Sequence, residues 1–143
     1  MNKKDIVIVC ALEQEVNGEL DGVLPDSNQI IYTGVGKVNA TGKLTERLHS
    51  SHLHYLPPMP KLVINYGTAG SLNKELKGLV EVTRFFQRDM DATPIGFNIG
   101  QTPFDDIAEI NFGSGGYSCG TGDSFVIQTP KLKTDLVDME AYA

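Results

Sequence analysis

The chain has 143 residues, a length that favours one domain, and its hydrophobic and charged fractions of 41% and 21% are those of an ordinary globular protein. Its formal net charge of -6 leaves no basic surface for a phosphate backbone, so we expect no nucleic-acid binding and no attachment to anionic membranes. Two cysteines without CxxC spacing, Cys10 and Cys119, are interpreted as reduced core thiols of a cytoplasmic protein.

The first half of the chain alternates strand and helix patterns. Ile6–Cys10 is a continuous run of mostly β-branched residues, which predicts a strand buried on both faces of a sheet. A short helix is predicted over residues 13–24, a second strand over residues 30–33 and a longer helix over residues 38–48. Leu62–Asn65 predicts a third buried strand.

The second half contains further strand candidates, at residues 79–86, 117–119 and 136–138. Strands that alternate with glycine turns and helices indicate an α/β fold rather than a sandwich or a helical bundle. We find no internal repeat and no long linker, so residues 1–143 are interpreted as a single domain.

Two cofactor motifs and one metal cluster are weighed against the residues that each would need, and only the Walker motif is excluded outright. The turn at Gly34 and Gly36 follows a strand, but Asn39 replaces the third glycine of a dinucleotide fingerprint, and the Walker pattern is absent. His49, His52 and His54 lack the acidic or thiol partners that a closed metal site needs. We therefore expect neither a metal nor a cofactor.

Five segments, taken together and in order, match the motifs of one family. They are Ala-Leu-Glu-Gln-Glu-Val (11–16), Thr-Gly-Val-Gly-Lys-Val-Asn-Ala (33–40), Val-Ile-Asn-Tyr-Gly-Thr-Ala-Gly (63–70), Gly-Thr-Gly-Asp-Ser-Phe-Val (120–126) and Asp-Leu-Val-Asp-Met-Glu-Ala (135–141). The chain thus resembles the purine nucleoside phosphorylase and uridine phosphorylase superfamily, and within it the 5′-methylthioadenosine/S-adenosylhomocysteine nucleosidases. The resemblance implies a three-layer phosphorylase-like fold with a central mixed β-sheet flanked by helices.

The same resemblance implies a catalytic role for Glu15, which would orient and deprotonate an attacking water. A carboxylate suits this role because its oxygens only accept hydrogen bonds when it is ionised. A solvated acid at the start of a helix is the alternative interpretation of Glu15. Thr68, Ala69 and Gly70 would present backbone N–H groups near the nucleophile, since small residues let a backbone approach a ligand closely.

Four further residues would bind the nucleoside if the resemblance holds. Phe125 would stack on the purine, the backbone of Val126 would hydrogen-bond to it, Met139 would pack on the sugar, and Glu140 would bind the 2′ and 3′ hydroxyls of the ribose. Ordinary core packing is the alternative for Phe125 and Met139, and a structural acid near a helix start is the alternative for Glu140.

The nucleophile can be water or phosphate in such an enzyme. Phosphate binding favours arginine, whose planar fork matches the oxygens of the anion. Asn65 stands where the phosphorylases carry such an arginine, which favours hydrolysis, although Arg88 leaves phosphorolysis open. We therefore expect a nucleosidase that cleaves adenine nucleosides such as methylthioadenosine in purine salvage.

The family's motif order continues beyond Met-Glu into a strand and a helix that we do not find before Ala143. That strand carries the aspartate that protonates the departing purine, so we expect the fold to lack its last strand and helix and the chain to cleave slowly or not at all. A truncated enzyme and a catalytically impaired nucleoside-binding relative both fit this pattern. We also expect a homodimer, with Phe97 and Phe104 as interface candidates.

Overall fold

The computed structural model describes residues 2–20, 22–50 and 59–143. The chain divides into two compact units, an N-terminal unit of residues 1–68 and a C-terminal unit of residues 69–143. No helix within the described ranges is long and apolar enough to cross a membrane. Each unit is built around its own sheet.

The N-terminal unit contains a parallel sheet of three strands in the order β2-β1-β3. Its elements, in chain order, are β1 (Ile6–Cys10), α1 (Glu13–Val16), β2 (Ile30–Tyr32), α2 (Lys37–Ser50) and β3 (Leu62–Asn65). The central strand β1 pairs with both neighbours, so Ile8 lies opposite Ile30 on one side and opposite Ile64 on the other. Ile8, Cys10 and Val16 form the buried core of this unit.

The first helix is shorter than the sequence predicts. A helix over residues 13–24 is wrong, because α1 ends at Val16. Asn17 and Gly18 both adopt left-handed backbone conformations, with φ of 43° and 79°. Asparagine and glycine are the residues that adopt this conformation at least cost, and a left-handed residue terminates a helix.

The burial predicted for β3 is also wrong. Leu62, Val63 and Ile64 are exposed, with 36%, 38% and 39% of their surface accessible. β3 is an edge strand that pairs with β1 alone in the described part of the chain. A continuous apolar run predicts a strand, but the neighbours that bury such a strand are not encoded in the run itself.

The C-terminal unit contains a mixed sheet of five strands in the order β4-β8-β7-β5-β6. The strands are β4 (Gly70–Ser71), β5 (Val82–Gln87), β6 (Ile110–Asn111), β7 (Tyr117–Thr121) and β8 (Leu136–Asp138). β7 is parallel to both β5 and β8, whereas the two edge strands β4 and β6 run antiparallel to their neighbours. Cys119, Leu136 and Val137 are buried in its centre.

The predicted α/β class with a mixed sheet and flanking helices is confirmed, with the strands distributed over two sheets in the described residues. The predicted bounds of β1 and β8 are confirmed. The interpretation of Cys10 and Cys119 as core thiols is confirmed as well, because both are free and buried.

Candidate active site

Glu15 is the third residue of α1, and residues of its own unit bind both oxygens of its carboxylate. Oε1 accepts hydrogen bonds from the Thr68 hydroxyl at 2.6 Å and from the Thr68 backbone N–H at 3.0 Å. Oε2 accepts from the Leu12 backbone N–H at 3.0 Å. Because β1 and β3 are parallel, their carboxyl ends lie at one edge of the sheet, and the turns that follow them meet at this carboxylate.

Gly67, in the turn that contains Thr68, lies beside the half-buried carboxylate of Glu15. A Cβ placed on Gly67 would lie 3.5 Å from each carboxylate oxygen of Glu15. That is an ordinary contact distance, so a larger residue at position 67 would cover the oxygens rather than clash with them. Glycine at this position therefore keeps Glu15 accessible to a small molecule such as water.

Glu15 is ionised at neutral pH. Burial alone would raise the pKa of its carboxyl, but hydrogen bonds from the hydroxyl and backbone N–H of Thr68, then from the N–H groups of Leu12 and Ala11, outweigh burial and lower the pKa below its ordinary value of 4.5. The negative charge in turn acts on a neighbour: burial first, and then the charge of Glu15, raise the pKa of the Cys10 thiol to about 11.

In the C-terminal unit, Arg88 binds the loop that carries Phe125. Its Nη2 donates to the backbone carbonyls of Gly122, at 2.9 Å, and Ser124, and its Nη1 donates to the Ser124 hydroxyl at 3.4 Å. Asp89 accepts the backbone N–H of Asp123 at 2.9 Å. Arg88 and Asp89, the two residues that follow β5, thus fix the backbone of residues 122–124.

Gly122 is required for this arrangement. A Cβ at position 122 would lie 2.9 Å from Cζ of Arg88 and 2.9 Å from Cγ of Asp89, closer than real Cβ contacts come. The loop can approach the guanidinium only because this residue has no side chain.

The loop carries the two residues that the family resemblance assigns to the purine. The ring of Phe125 is 86% exposed, and Val126 is half-buried. The alternative of a core phenylalanine is therefore wrong for Phe125 in this chain. Its role in stacking on a purine stays a prediction.

The residues assigned to the sugar lie at the end of β8. Met139 and Glu140 follow directly after this strand and are half-buried. Gly70 pairs with Val137 in the antiparallel partner strand β4, where a Cβ on Gly70 would lie 3.1 Å from Cγ2 of Val137. Ala69, which precedes Gly70, is exposed.

The structure thus brings Glu15 and Thr68 together in the N-terminal unit, and it places Gly70 beside the strand that leads to Met139 and Glu140 in the C-terminal unit. The roles assigned to these residues stay predictions. Within the described ranges, no group of three histidine, cysteine or acidic side chains could hold a metal ion. His52 and His54 lie outside the described residues.

Sequence reasoning missed the function of Arg88 as a donor to the loop. The sequence indicated Arg88 only as a possible phosphate ligand. The hydrogen-bond partners of Arg88, Gly122 and Ser124, lie 34 and 36 residues further along the chain. No local pattern indicates such a pairing. The only signal was the group of glycines at positions 120 and 122, because closely spaced glycines suggest that something approaches the backbone.

Comparison with known proteins decides the family. A family model described as the phosphorylase superfamily matches residues 26–119, more than half of the chain. The chain belongs to the phosphorylase superfamily. A 5′-methylthioadenosine/S-adenosylhomocysteine nucleosidase from Staphylococcus haemolyticus is 33% identical over 82 residues, which are 54% of this chain and 33% of that relative. The match therefore spans about a third of the curated relative.

Solved structures agree with this family in fold. A futalosine hydrolase mutant from Helicobacter pylori superposes with a TM-score of 0.72 at 21% identity, covering 95% of this chain and 79% of that chain. An H. pylori 5′-methylthioadenosine/S-adenosylhomocysteine nucleosidase gives 0.73 at 22% identity, with 95% and 75% covered. An S-adenosylhomocysteine nucleosidase from Streptococcus pyogenes gives 0.66 at 22%, with 94% and 73% covered. The predicted phosphorylase-like fold is confirmed.

Proposed function

We propose that this chain binds adenine nucleosides of the methylthioadenosine type and hydrolyses their N-glycosidic bond slowly, without an assigned residue to protonate the departing base. The observation that carries the proposal is the Glu15 carboxylate, which is ionised, bound by Thr68 and left accessible by Gly67. The named relatives are nucleosidases and a hydrolase, which supports the same class of reaction.

In the proposed reaction, water adds to the anomeric carbon of the ribose. Its oxygen forms the new bond to that carbon, its proton passes to Glu15, and the bond to the purine nitrogen breaks with its electron pair leaving on the base. The Thr68 hydroxyl donates to Glu15 and still has lone pairs to accept a hydrogen bond from the water. We assign no residue to the protonation of the departing base.

The C-terminal unit would bind the two parts of the nucleoside with separate segments. Phe125 and Val126 would contact the purine, and Met139 and Glu140 the ribose. The exposed ring of Phe125 supports this assignment, because an exposed aromatic ring gains by stacking on a base. Ala69 and Gly70 would contribute backbone N–H groups.

Hydrolysis is favoured over phosphorolysis by the hydrogen bonds of Arg88. Three of its hydrogen bonds go to the loop at residues 122–124, so both terminal nitrogens of its guanidinium already have partners within the protein. A phosphate ligand would have to displace those contacts, and Asn65 offers no positive charge in compensation. Phosphorolysis remains the alternative that the experiment below separates.

We also propose that the chain forms a homodimer through Phe97 and Phe104. Their rings lie 5.5 Å apart in an edge-to-face arrangement, and Phe104 is 93% exposed with a left-handed φ of 65°. Strain of this kind in a bulky residue is typical of functional positions. Light scattering should detect dimers that Phe104→Asp abolishes, and a wild-type chain that stays monomeric at high concentration would contradict the proposal.

The decisive experiment measures binding and cleavage separately. Calorimetry with methylthioadenosine and adenosine should show binding, and thermal unfolding should shift upwards because a ligand of the native state stabilises it. Adenine release is then followed in phosphate-free buffer with the protein in excess over nucleoside.

Each alternative has its own outcome in that experiment. Release without phosphate supports the nucleosidase, and release only after phosphate is added indicates a phosphorylase. Binding without any release identifies a catalytically impaired nucleoside-binding relative. Absence of both binding and a thermal shift at millimolar ligand overturns the proposed function.

A further inference from the structure

Two carboxylate–hydroxyl pairs connect β7 to β8, one at each end of the paired region. The Ser118 hydroxyl donates to Asp135 at 2.7 Å, and the Thr121 hydroxyl donates to Asp138 at 2.5 Å. The partners in each pair are 17 residues apart. The two pairs are chemically alike, so the difference between them lies in what else each carboxylate binds.

The Ser118–Asp135 pair serves the pairing of the two strands. Asp135 Oδ2 also accepts the backbone N–H of Ser118 itself, at 2.9 Å. The Ser118 hydroxyl in turn accepts the backbone N–H of Asp135 at 3.0 Å. These contacts therefore fix the register at the beginning of β8.

The Thr121–Asp138 pair reaches beyond the strands. Asp138 Oδ2 accepts the backbone N–H groups of Glu140, at 3.3 Å, and Ala141, at 2.7 Å. The Thr121 hydroxyl also accepts the backbone N–H of Tyr142 at 3.1 Å. Three consecutive N–H groups after Met139 are thus bound by two side chains, and Glu140 is the first of the three residues.

Water has little access to the hydrogen bond between Thr121 and Asp138, so a lost hydroxyl at position 121 is not readily replaced by a water molecule. Thr121 is fully buried, with 0% of its surface exposed. Cys119 is buried beside it, and burial first, then the charge of Asp138 and a hydrogen bond to it, raise the pKa of the Cys119 thiol well above its ordinary range. Asp138 is half-buried, so its carboxylate has less access to water that could replace a lost donor than an exposed carboxylate has.

We propose that Thr121 and Asp138 are positioning residues that hold Glu140 in place for the ribose hydroxyls. The inference rests on the proposed function, because it assumes that Glu140 binds the 2′ and 3′ hydroxyls of a nucleoside. Neither residue is proposed to contact the substrate. They act by fixing the backbone from which the Glu140 side chain extends. Binding of the nucleoside then costs less conformational entropy, because this segment is already ordered.

The test uses two nucleosides that differ only at those hydroxyls. Adenosine and 2′,3′-dideoxyadenosine are titrated by calorimetry into the wild-type chain and into Thr121→Val, Thr121→Ser and Ser118→Ala. Thr121→Val removes the hydroxyl at nearly constant volume, and Thr121→Ser retains it. Ser118→Ala is the matched control, because it removes the equivalent hydroxyl from the Asp135 pair.

We expect the wild-type chain to prefer adenosine over the dideoxynucleoside and Thr121→Val to lose about tenfold of that preference, the change that corresponds to one charge-assisted hydrogen bond. Thr121→Ser should restore the preference, and Ser118→Ala should keep it. An equal loss of affinity for both nucleosides in Thr121→Val would indicate a merely structural role and overturn the inference, as would an unchanged preference.

A second measurement applies if Thr121→Val does not fold. Amide hydrogen exchange in the wild-type chain should be slow at Ala141 and Tyr142, and exchange at the rate of unprotected amides overturns the inference. Failure of the proposed function is recognised separately: a wild-type chain that binds neither nucleoside rejects that function, and the inference with it. Wild-type binding with a preference that Thr121→Val leaves intact rejects the inference alone.

Discussion

Glu15 in the N-terminal unit and Phe125 in the C-terminal unit differ in how far the protein has already fixed them. The Glu15 carboxylate accepts three hydrogen bonds from Thr68 and Leu12, so its position is set before any ligand arrives. The backbone before Phe125 is fixed by Arg88, yet the ring itself is 86% exposed. The polar group that the proposed reaction needs as a proton acceptor is prepared in advance, whereas the apolar group that is proposed to cover a base is not.

The difference follows from the physical chemistry of the two groups. A charged carboxylate contributes most to catalysis when the folded protein already holds it in its working orientation, because no reorganisation is then needed during the reaction. An aromatic ring gains by removing its surface from water, and that gain is obtained only when the ligand covers it. Variants of the two residues should therefore fail in different ways.

The largest effect is expected for Glu15→Gln. Removing the proposed base should slow adenine release by about 10²- to 10⁴-fold, the range that acid–base catalysis contributes, while nucleoside affinity stays nearly unchanged. Single-turnover release with the protein in excess measures the first quantity and calorimetry the second.

Glu13→Gln is the control for this variant, because Glu13 is exposed on the same helix and its acidity should not matter. Equal release rates for Glu15→Gln and the wild type would show that Glu15 is a surface carboxylate without a catalytic role.

A smaller effect is expected for Phe125→Ala, and it should appear in affinity alone. Stacking of a base on an aromatic side chain contributes about 1–3 kcal/mol, so adenosine should bind about 5- to 150-fold more weakly. The melting temperature of the free protein should not change, because the ring is exposed. Ile127→Ala removes a side chain that is 89% exposed from the same loop and serves as the control. Equal affinities in all three proteins would remove Phe125 from the base site.

Arg88→Met tests whether the loop needs its guanidinium. The variant leaves the carbonyls of Gly122 and Ser124 without their donors, which should lower the free energy of unfolding by about 2 kcal/mol and weaken adenosine binding by about tenfold. Arg84→Met removes an exposed arginine from β5 and should change neither quantity. Denaturant titration and calorimetry measure the two effects. A variant as stable as the wild type would show that water replaces the guanidinium.

The strands could be predicted from the sequence wherever the local pattern determines them. The β-branched run of β1 and the short apolar segment of β8 gave the observed bounds. The exposure of β3 could not be predicted, because burial depends on neighbours in space and its apolar residues indicate only that it is a strand. The early end of α1 was signalled by Asn17 and Gly18, a pair that favours left-handed backbone.

In the candidate site, too, local motifs could be recognised from the sequence and contacts between distant residues could not. The motif that contains Glu15 could be recognised from its sequence, and the contact with Thr68 follows from the parallel pairing of β1 and β3. The pairing of Thr121 with Asp138 could not be recognised, since it depends on the register of two strands whose residues lie 17 apart in the chain. Side-chain partners of this kind are fixed by topology, which no single motif contains.

The smallest effect is expected in the pH dependence of stability, and it concerns Glu15. Its pKa is lowered in the folded protein, so its charge stabilises the native state above its ordinary pKa of 4.5, and this contribution is lost as the pH falls through the lower folded value. The difference in the free energy of unfolding between wild type and Glu15→Gln should therefore be largest at neutral pH and shrink as the pH falls below 4.5. Other acids, such as Asp91, whose pKa is lowered to about 2 by a hydrogen bond from Lys131 and then by Thr93, titrate in both proteins and cancel in the difference. The side chain of Glu15 is only partly buried, so solvent screening keeps the pH-dependent change in the free energy of unfolding modest. Denaturant titrations at several pH values measure this change. A difference that stays constant across this range would show that the hydrogen bonds from Thr68 and Leu12 do not favour the charged form, and that Glu15 is no better prepared than Phe125.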